Sequence, residues 1–227
     1  MIKNILFDLG GVLVGLDRVR CLKNFRKIGF SDFENTLSEY HQGGYFLDYE
    51  KGVISSEEFR EIIRGGADRP LADDEIDSAL VSFLENIPKY KIDLLLSLRE
   101  RGYSAYLLSN SNEICIREVR GFFAGYGLDF DTFFVDRFLS YEMKLAKPDA
   151  EIFLKVLEEA RIDADETLFV DDYLPNIESA AGIGFKTLLY DVNDNLAERV
   201  EAVLTENLIS ENVSFGTEHL SDKHFRK

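Results

Sequence analysis

The chain is predicted to be an α/β protein built on a parallel sheet with helices on both faces and a separate helical insert. Three observations predict this. Short apolar runs of strand length recur along the 227 residues with helical patterns between them, and such alternation is the signature of parallel strands joined by helical crossovers. One connection, from Asp17 to about Pro88, is far longer than a crossover needs and must hold a domain of its own. A composition of 45% hydrophobic and 30% charged residues provides enough apolar material for one sizeable core and a smaller satellite, and excludes a disordered chain. The expected core is therefore Rossmann-like, over residues 1–16 and 89–208, with a helical-bundle insert over 17–88 and a tail over 209–227.

The elements follow in order. The first strand is read over Ile2 to Asp8, the second over Tyr103 to Ser109, a weaker third near Phe133 to Leu139, the fourth over Thr167 to Asp171 and the fifth over Phe185 to Tyr190. Ile92, Leu95 and Leu96, with the stem of Arg99, share one helical face, as do Ile152, Phe153, Val156, Leu157 and Ala160, so both helices should pack on the sheet. Inside the insert, helices are expected over Asp17 to Ile28, Asp32 to Tyr40, Ser55 to Arg64 and Ala72 to Asn86, the third opening on the capping pair Ser55 and Glu58. A flexible loop carrying His41, Gln42, Gly43, Gly44, Tyr45 and Phe46 is expected after Tyr40, and hinges near Val14 to Leu16 and Ile87 to Lys89, where Gly15 and Pro88 sit. From Ile209 the chain is polar and weakly patterned, as in a segment that frays or docks on a partner.

Charge narrows the function. Acidic residues outnumber basic ones 42 to 26, for a net charge of −16 and an isoelectric point near 4.6, so the field of the protein repels nucleic acid and anionic lipid. No run approaches the roughly 20 apolar residues of a membrane span, and the amino terminus enters a strand without the pattern of a secretion signal. The expectation is a cytoplasmic protein, a monomer or homodimer, with neither nucleic acid nor membrane as partner. Cys21 and Cys115 lack metal or redox spacing and are expected to be buried thiols.

Parallel sheets present ligands at the carboxyl ends of their strands, and four of these ends are polar. They read Asp8-Leu9-Gly10-Gly11-Val12, Leu108-Ser109-Asn110, Lys147-Pro148-Asp149 before a helix, and Val170-Asp171-Asp172 followed by Pro175 and Asn176. Each has an ordinary alternative. A lone Asp at a strand end is commonly a cap or turn former, Asp171 and Asp172 suit the start of the helix that Pro175 opens, Ser109-Asn110 suits a turn, and Lys147 suits a solvated face. The Gly10-Gly11 pair fits neither a dinucleotide fingerprint nor a phosphate loop. Their conjunction is what matters: three carboxylates converging on one sheet edge repel unless a hard cation lies between them, and an oxygen-rich site with a hydroxyl and an ammonium suits magnesium and an anionic substrate.

In that order and at those separations the four segments resemble the motifs of the haloacid dehalogenase-like (HAD) hydrolase superfamily, from Met1 to about Tyr190. The insert after the first motif is similar to the cap of one subgroup, and Gly52-Val53-Ile54-Ser55 through Phe59 looks closest to bacterial sugar-phosphate phosphatases of the glucose-1-phosphate type. The resemblance implies a magnesium-dependent phosphomonoesterase acting on a small phosphate ester. Asp8 would be the nucleophile that becomes an aspartyl-phosphate; Asp8, the carbonyl of Gly10 and Asp172 would hold the metal, with Asp171 and Asn176 in support; Ser109, Asn110 and Lys147 would grip the phosphoryl group. Which of Asp171 and Asp172 meets the metal stays open at this point, with the family pattern favouring Asp172.

The sequence also departs from the family. Most of its phosphatases have a second Asp two residues after the nucleophile as general acid and base; this chain has Gly10. Such a group contributes about 10²–10⁴ in rate. Three readings answer the gap: an ester with a good leaving group, such as an anomeric sugar phosphate; a proton donor reaching in from the insert, with His41, Tyr45, Asp48, Tyr49 and Glu50 as candidates; or a weakened scaffold that binds and regulates. A 2-haloacid dehalogenase would need no acid, but has no use for the acidic pair.

Overall fold

A computed structural model describes residues 1–33 and 44–221, with side chains described up to 208. Five parallel strands form one sheet in the order β3-β2-β1-β4-β5, with β1 (Asn4–Phe7) at the centre, flanked by β2 (Ser104–Ser109) and β4 (Thr167–Asp171), and with β3 (Arg137–Leu139) and β5 (Lys186–Leu189) at the edges. The central strand is buried throughout, and apolar from Ile5 to Phe7, because both of its faces are covered. Ile5, Phe7, Leu107, Leu168 and Val170 face a core closed by the helices Lys89–Glu100, Glu113–Gly125 and Leu196–Ser221. Leu6, Tyr106, Leu108 and Phe169 face the opposite core, under the helices Ala150–Ala160 and Leu174–Ile183. The period-2 alternation thus divides each strand between two hydrophobic layers. No described helix is long and apolar enough to cross a membrane.

The long connection holds α1 (Arg18–Lys27), α2 (Gly44–Glu50), α3 (Ser56–Gly65) and α4 (Asp73–Val81). They bury a cluster of their own, in which Phe25 stacks on Phe33 and Tyr49 on Phe59. Ser55 and Glu58 form the expected reciprocal cap. Two expectations change. The segment after Gly43 is helix α2 rather than loop, because Phe46 and Tyr49 lie three apart and bury one face against Phe33 and Phe59. The last helix stops at Val81 instead of Asn86, because the chain turns there into a return strand: Leu16 pairs antiparallel with Leu84, the Asp17 N–H donates to Phe83 O at 2.7 Å, and the Glu85 N–H donates to Gly15 O at 2.7 Å. The second crossing therefore precedes Ile87, and Pro88 is the cap of the sheet-directed helix rather than part of that pairing. The helix read over Asp32 to Tyr40, and His41, fall largely or wholly outside the described residues.

The insert also docks on the amino end of the helix Glu113–Gly125. Ile114 and Cys115 join its core, Ser56 Oγ donates to Glu113 Oε2 at 2.6 Å, and Asp77 accepts from Arg60 at 2.9 Å and from Arg117 at 2.6 Å. Both cysteines are free and buried, as expected. Towards the carboxyl end, Leu196, Val200 and Leu204 seat the last helix on the sheet core, and its backbone continues as helix through position 209 to Ser221.

Candidate active site

Parallel registry decides what meets at the sheet edge. Phe7 is level with Leu107 and with Val170, so Asp8, one residue on, emerges between the end of β2 and Asp171. Asp8, Asp171 and Asp172 each bring a carboxylate oxygen to within 4.8 Å of the others. Lys147 enters from the loop before the helix Ala150–Ala160, its side chain 1% exposed, with Nζ 2.8 Å from Asp8 Oδ1 and 2.6 Å from Asp171 Oδ2. Burial alone would depress the lysine, but Asp171 and Asp8 hold it above its ordinary value, so it is an ammonium. Burial pushes the Asp8 carboxyl up to about 8, against the pull of Lys147 and with the help of Asp171 and Asp172. Burial and Asp171 likewise push Asp172 up to about 6. One ammonium does not balance three carboxylates, and the excess negative charge is what a divalent cation with oxygen ligands would relieve.

The two aspartates of the doublet sit differently. Asp171 is fully buried and its oxygens are engaged by Lys147, by Asn176 Nδ2 at 3.0 Å to each oxygen, and by the Tyr173 N–H at 2.8 Å. Asp172 is partly exposed and lies over the turn at Gly11, which has φ +79°. A Cβ on Gly11 would stand 2.5 Å from Asp172 Cγ. The glycine pair thus makes a sharp turn, as expected, and also leaves room for this carboxylate.

The remaining predicted residues gather at the same edge. Ser109 ends β2 and is 2% exposed, its hydroxyl 3.3 Å from Asn110 O. The Asn110 side chain holds the lysine loop, accepting from the Lys147 N–H and donating to Lys147 O, both at 2.9 Å. Any grip of Asn110 on a phosphoryl group therefore belongs to its main chain. Two residues that carry the site were not singled out in the sequence. Lys91 is buried and donates to Val12 O at 2.5 Å, tying down the loop after Asp8, and its charge reaches Asp172. Its signal was a lysine in register with Leu95 and Leu98 on a core-facing helix stripe. Ser140 is a junction: its hydroxyl donates to Glu50 O at 2.5 Å and accepts from the Ser111 N–H at 2.9 Å. Nothing in the sequence around Ser140 marked it.

Comparison with known proteins bears on the same residues. The family model described as haloacid dehalogenase-like hydrolase matches residues 2–184, which contain all four segments. The chain belongs to the HAD-like hydrolases. A relative from Bacteroides thetaiotaomicron named D-ribitol-5-phosphate phosphatase is 36% identical over 192 residues, covering 82% of this chain and 91% of the relative. A HAD family enzyme of that organism, solved as wild-type protein in complex with magnesium and inorganic phosphate, superposes with a TM-score of 0.81 at 45% identity, over 86% of this chain and 97% of its own. A HAD-like family hydrolase from Porphyromonas gingivalis gives a TM-score of 0.83 at 36% identity, over 90% and 98% of the two chains. As a HAD hydrolase, the protein has its nucleophile candidate one residue past the central strand, where the Asp8 N–H donates to Val170 O at 2.9 Å.

Proposed function

We propose that this HAD hydrolase is a magnesium-dependent phosphomonoesterase of a small phosphorylated sugar or polyol, working through an aspartyl-phosphate on Asp8. The observation that carries the reading is the Lys147 ammonium shared between Asp8 and Asp171 beside a third carboxylate, Asp172. The donor set fits magnesium, being composed of carboxylate oxygens on a partly buried edge. Asp8, the Gly10 carbonyl and Asp172 would hold the ion, and Asp171, which accepts from both Lys147 and Asn176, would with Asn176 fix the frame around it. Bound there, the ion supplies charge neutralisation for the phosphoryl group.

The chain's own groups do the rest. Lys147 holds the Asp8 oxygen in place and offsets charge on nucleophile and phosphoryl oxygens alike. Ser109 and the Asn110 N–H orient those oxygens, and Asn110 sets Lys147 by its two bonds to that residue's backbone. The name of the relative from B. thetaiotaomicron, a phosphatase of a phosphorylated polyol, supports the substrate class. Its ester is a primary alkyl phosphate, so the preference for anomeric esters, drawn from Gly10, gains no support from it. The test is phosphate release from a panel of sugar and polyol phosphates, with magnesium and with EDTA, by wild type and Asp8→Asn. Release that needs magnesium and vanishes in D8N is expected. Release that persists in EDTA or in D8N overturns the reading, and chloride release from a 2-haloacid indifferent to EDTA would replace it with dehalogenation.

A further inference from the structure

Position 10 has no carboxyl, and the insert offers one. Of the five candidates in the sequence, His41 lies outside the described residues, Asp48 is exposed, and Tyr49 is committed to the insert core, with its hydroxyl 2.8 Å from Ser56 Oγ and 3.4 Å from the Ile114 N–H that donates to it. Tyr45 packs its ring against Phe59. Glu50 differs from all of these. It is 4% exposed, and its Oε2 has no hydrogen-bond partner among the described residues. A buried carboxyl left without a partner costs stability and is retained where it has a task. Its backbone is pinned to the active-site edge, because Glu50 O accepts from the Ser140 hydroxyl that also receives the Ser111 N–H, two residues past Ser109. The charges that act on it are those of Asp8 and Lys147.

Resting on the phosphatase reading above, we propose that Glu50 is the general acid and base of the reaction, brought from the insert to the place where position 10 lacks a carboxyl. As the bond between Asp8 and phosphorus forms and the bond from phosphorus to the ester oxygen breaks, the Glu50 carboxyl gives its proton to that oxygen and the alcohol leaves. The Glu50 carboxylate then takes a proton from the water whose oxygen bonds to phosphorus as the aspartyl bond breaks. Inorganic phosphate departs, and both carboxyl groups are restored. The starting protonation state agrees with the surroundings, since burial, aided by the charge on Asp8 and opposed by Lys147, pushes Glu50 up to about 8.

The experiment compares wild type, Glu50→Gln and Asp8→Asn, full-length and with magnesium, on an alkyl ester such as ribitol-5-phosphate or glycerol phosphate and on p-nitrophenyl phosphate, whose leaving group needs no proton. For E50Q, kcat on the alkyl ester is expected to fall about 10²–10³-fold with KM within about threefold. On p-nitrophenyl phosphate the same variant should release a rapid burst of one p-nitrophenolate per enzyme and then turn over slowly, because the second step has lost its base. A thermal melt with inorganic phosphate and magnesium checks that E50Q folds and binds, and Glu50→Asp, which keeps the carboxyl, should recover part of the rate. Unchanged kcat, or a raised KM with equal loss on both esters and no burst, overturns the proposal and makes Glu50 a substrate-binding or structural group. Activity surviving in D8N would instead overturn the phosphatase reading itself.

Discussion

Replacing Gly11 with Ala separates the stability of the loop from its use. Two costs can be worked out. Gly11 has φ +79°, a region where a side chain costs roughly 1–2 kcal/mol. The added Cβ would also stand 2.5 Å from Asp172 Cγ, whereas non-bonded carbons settle at about 3.5–4.0 Å. The carboxylate must therefore retreat by roughly 1 Å. Asp172 is a short, partly exposed side chain and can move, so the fold should lose only about 2 kcal/mol, or roughly 4–8 °C in Tm for a chain of this length. Metal geometry is far less forgiving, with a tolerance of about ±0.2 Å in ligand distance. The magnesium concentration for half-maximal phosphatase activity is expected to rise at least about tenfold. The control is Gly121→Ala, inside the helix Glu113–Gly125 with nothing within 4 Å of the new Cβ, expected to stabilise by about 0.5–1 kcal/mol and leave the metal requirement alone. Melting curves and magnesium titrations of both variants decide the matter. A G11A protein that is folded and keeps the wild-type magnesium requirement refutes the placement of Asp172 at the metal.

Other expectations follow from the same contacts. Lys147→Met leaves Asp8 and Asp171 adjacent and uncompensated, so in EDTA its Tm should fall by about 6–12 °C, corresponding to about 3 kcal/mol, and its kcat should fall at least about 10²-fold; wild-type values in both would refute its role. Asn110→Ala removes two bonds to the lysine backbone, each worth about 1 kcal/mol, so Tm and kcat should drop together with metal affinity unchanged; an unaltered kcat would show that Lys147 needs no such brace. Stability should also depend on pH through Glu50. Its folded value is pushed up to about 8 from an ordinary 4.5, so the native state binds the proton more tightly, and stability present below 4.5 is lost as pH rises towards 8. The effect is at most about 5 kcal/mol. Denaturant titrations of metal-free wild type and E50Q from pH 4.5 to 8 should therefore diverge, with E50Q becoming relatively more stable at the alkaline end; parallel curves would place Glu50 in water.

The sheet was legible because its inner strands are buried on both faces and so read as largely apolar runs bounded by turns. The fourth run, Thr167 to Asp171, coincides with β4 residue for residue, whereas the third shrinks to Arg137–Leu139, since Phe133 and Phe134 pack with Phe123 and Phe130 instead of entering the sheet. The site residues were legible as polar letters at strand ends, where a buried run has no other reason to stop on Asp or Ser. What could not be read is everything that depends on contacts distant in sequence. The Asn110 side chain looks like a turn former until the lysine loop, 37 positions on, comes to meet it. Lys91 stands out on the core-facing stripe of its helix, but the partner that explains it, the Val12 carbonyl, lies 79 positions away. Helix α2 was hidden by two glycines at its start, and only the aromatic rings around Phe46 and Tyr49 overrule them.

Placing the proton donor on the insert changes when the chemistry can occur. A carboxyl at position 10 would be present whether or not the insert is seated, but Glu50 is at the site only while α2 rests on the segment after β3. The contacts that hold that seat include the Ser140 hydroxyl on Glu50 O at 2.5 Å, Lys144 Nζ on Gly52 O at 2.5 Å, Lys51 Nζ on Asp149 Oδ2 at 3.4 Å, and the close approach of Gly52 to the Tyr141 carbonyl. Gly52 has φ +61°, and a Cβ there would lie 3.0 Å from the Tyr141 carbonyl carbon, so backbone must separate from backbone to admit it. Gly52→Ala, which also crowds the Lys144 ammonium at this seat but leaves the Glu50 carboxyl in place, should consequently resemble Glu50→Gln: kcat on an alkyl ester falls by about tenfold or more, and the burst on p-nitrophenyl phosphate survives. Magnesium affinity should stay put, because Asp8, Asp172 and the loop at Gly10 lie on the sheet side of the seat. Steady-state and burst kinetics on the two esters, alongside a magnesium titration, measure this. If G52A keeps full alkyl-ester turnover, the seat does not govern the proton donor. If it loses the burst along with turnover, the insert acts on the first bond formed at Asp8 rather than on the proton, and Glu50 must be assigned another task.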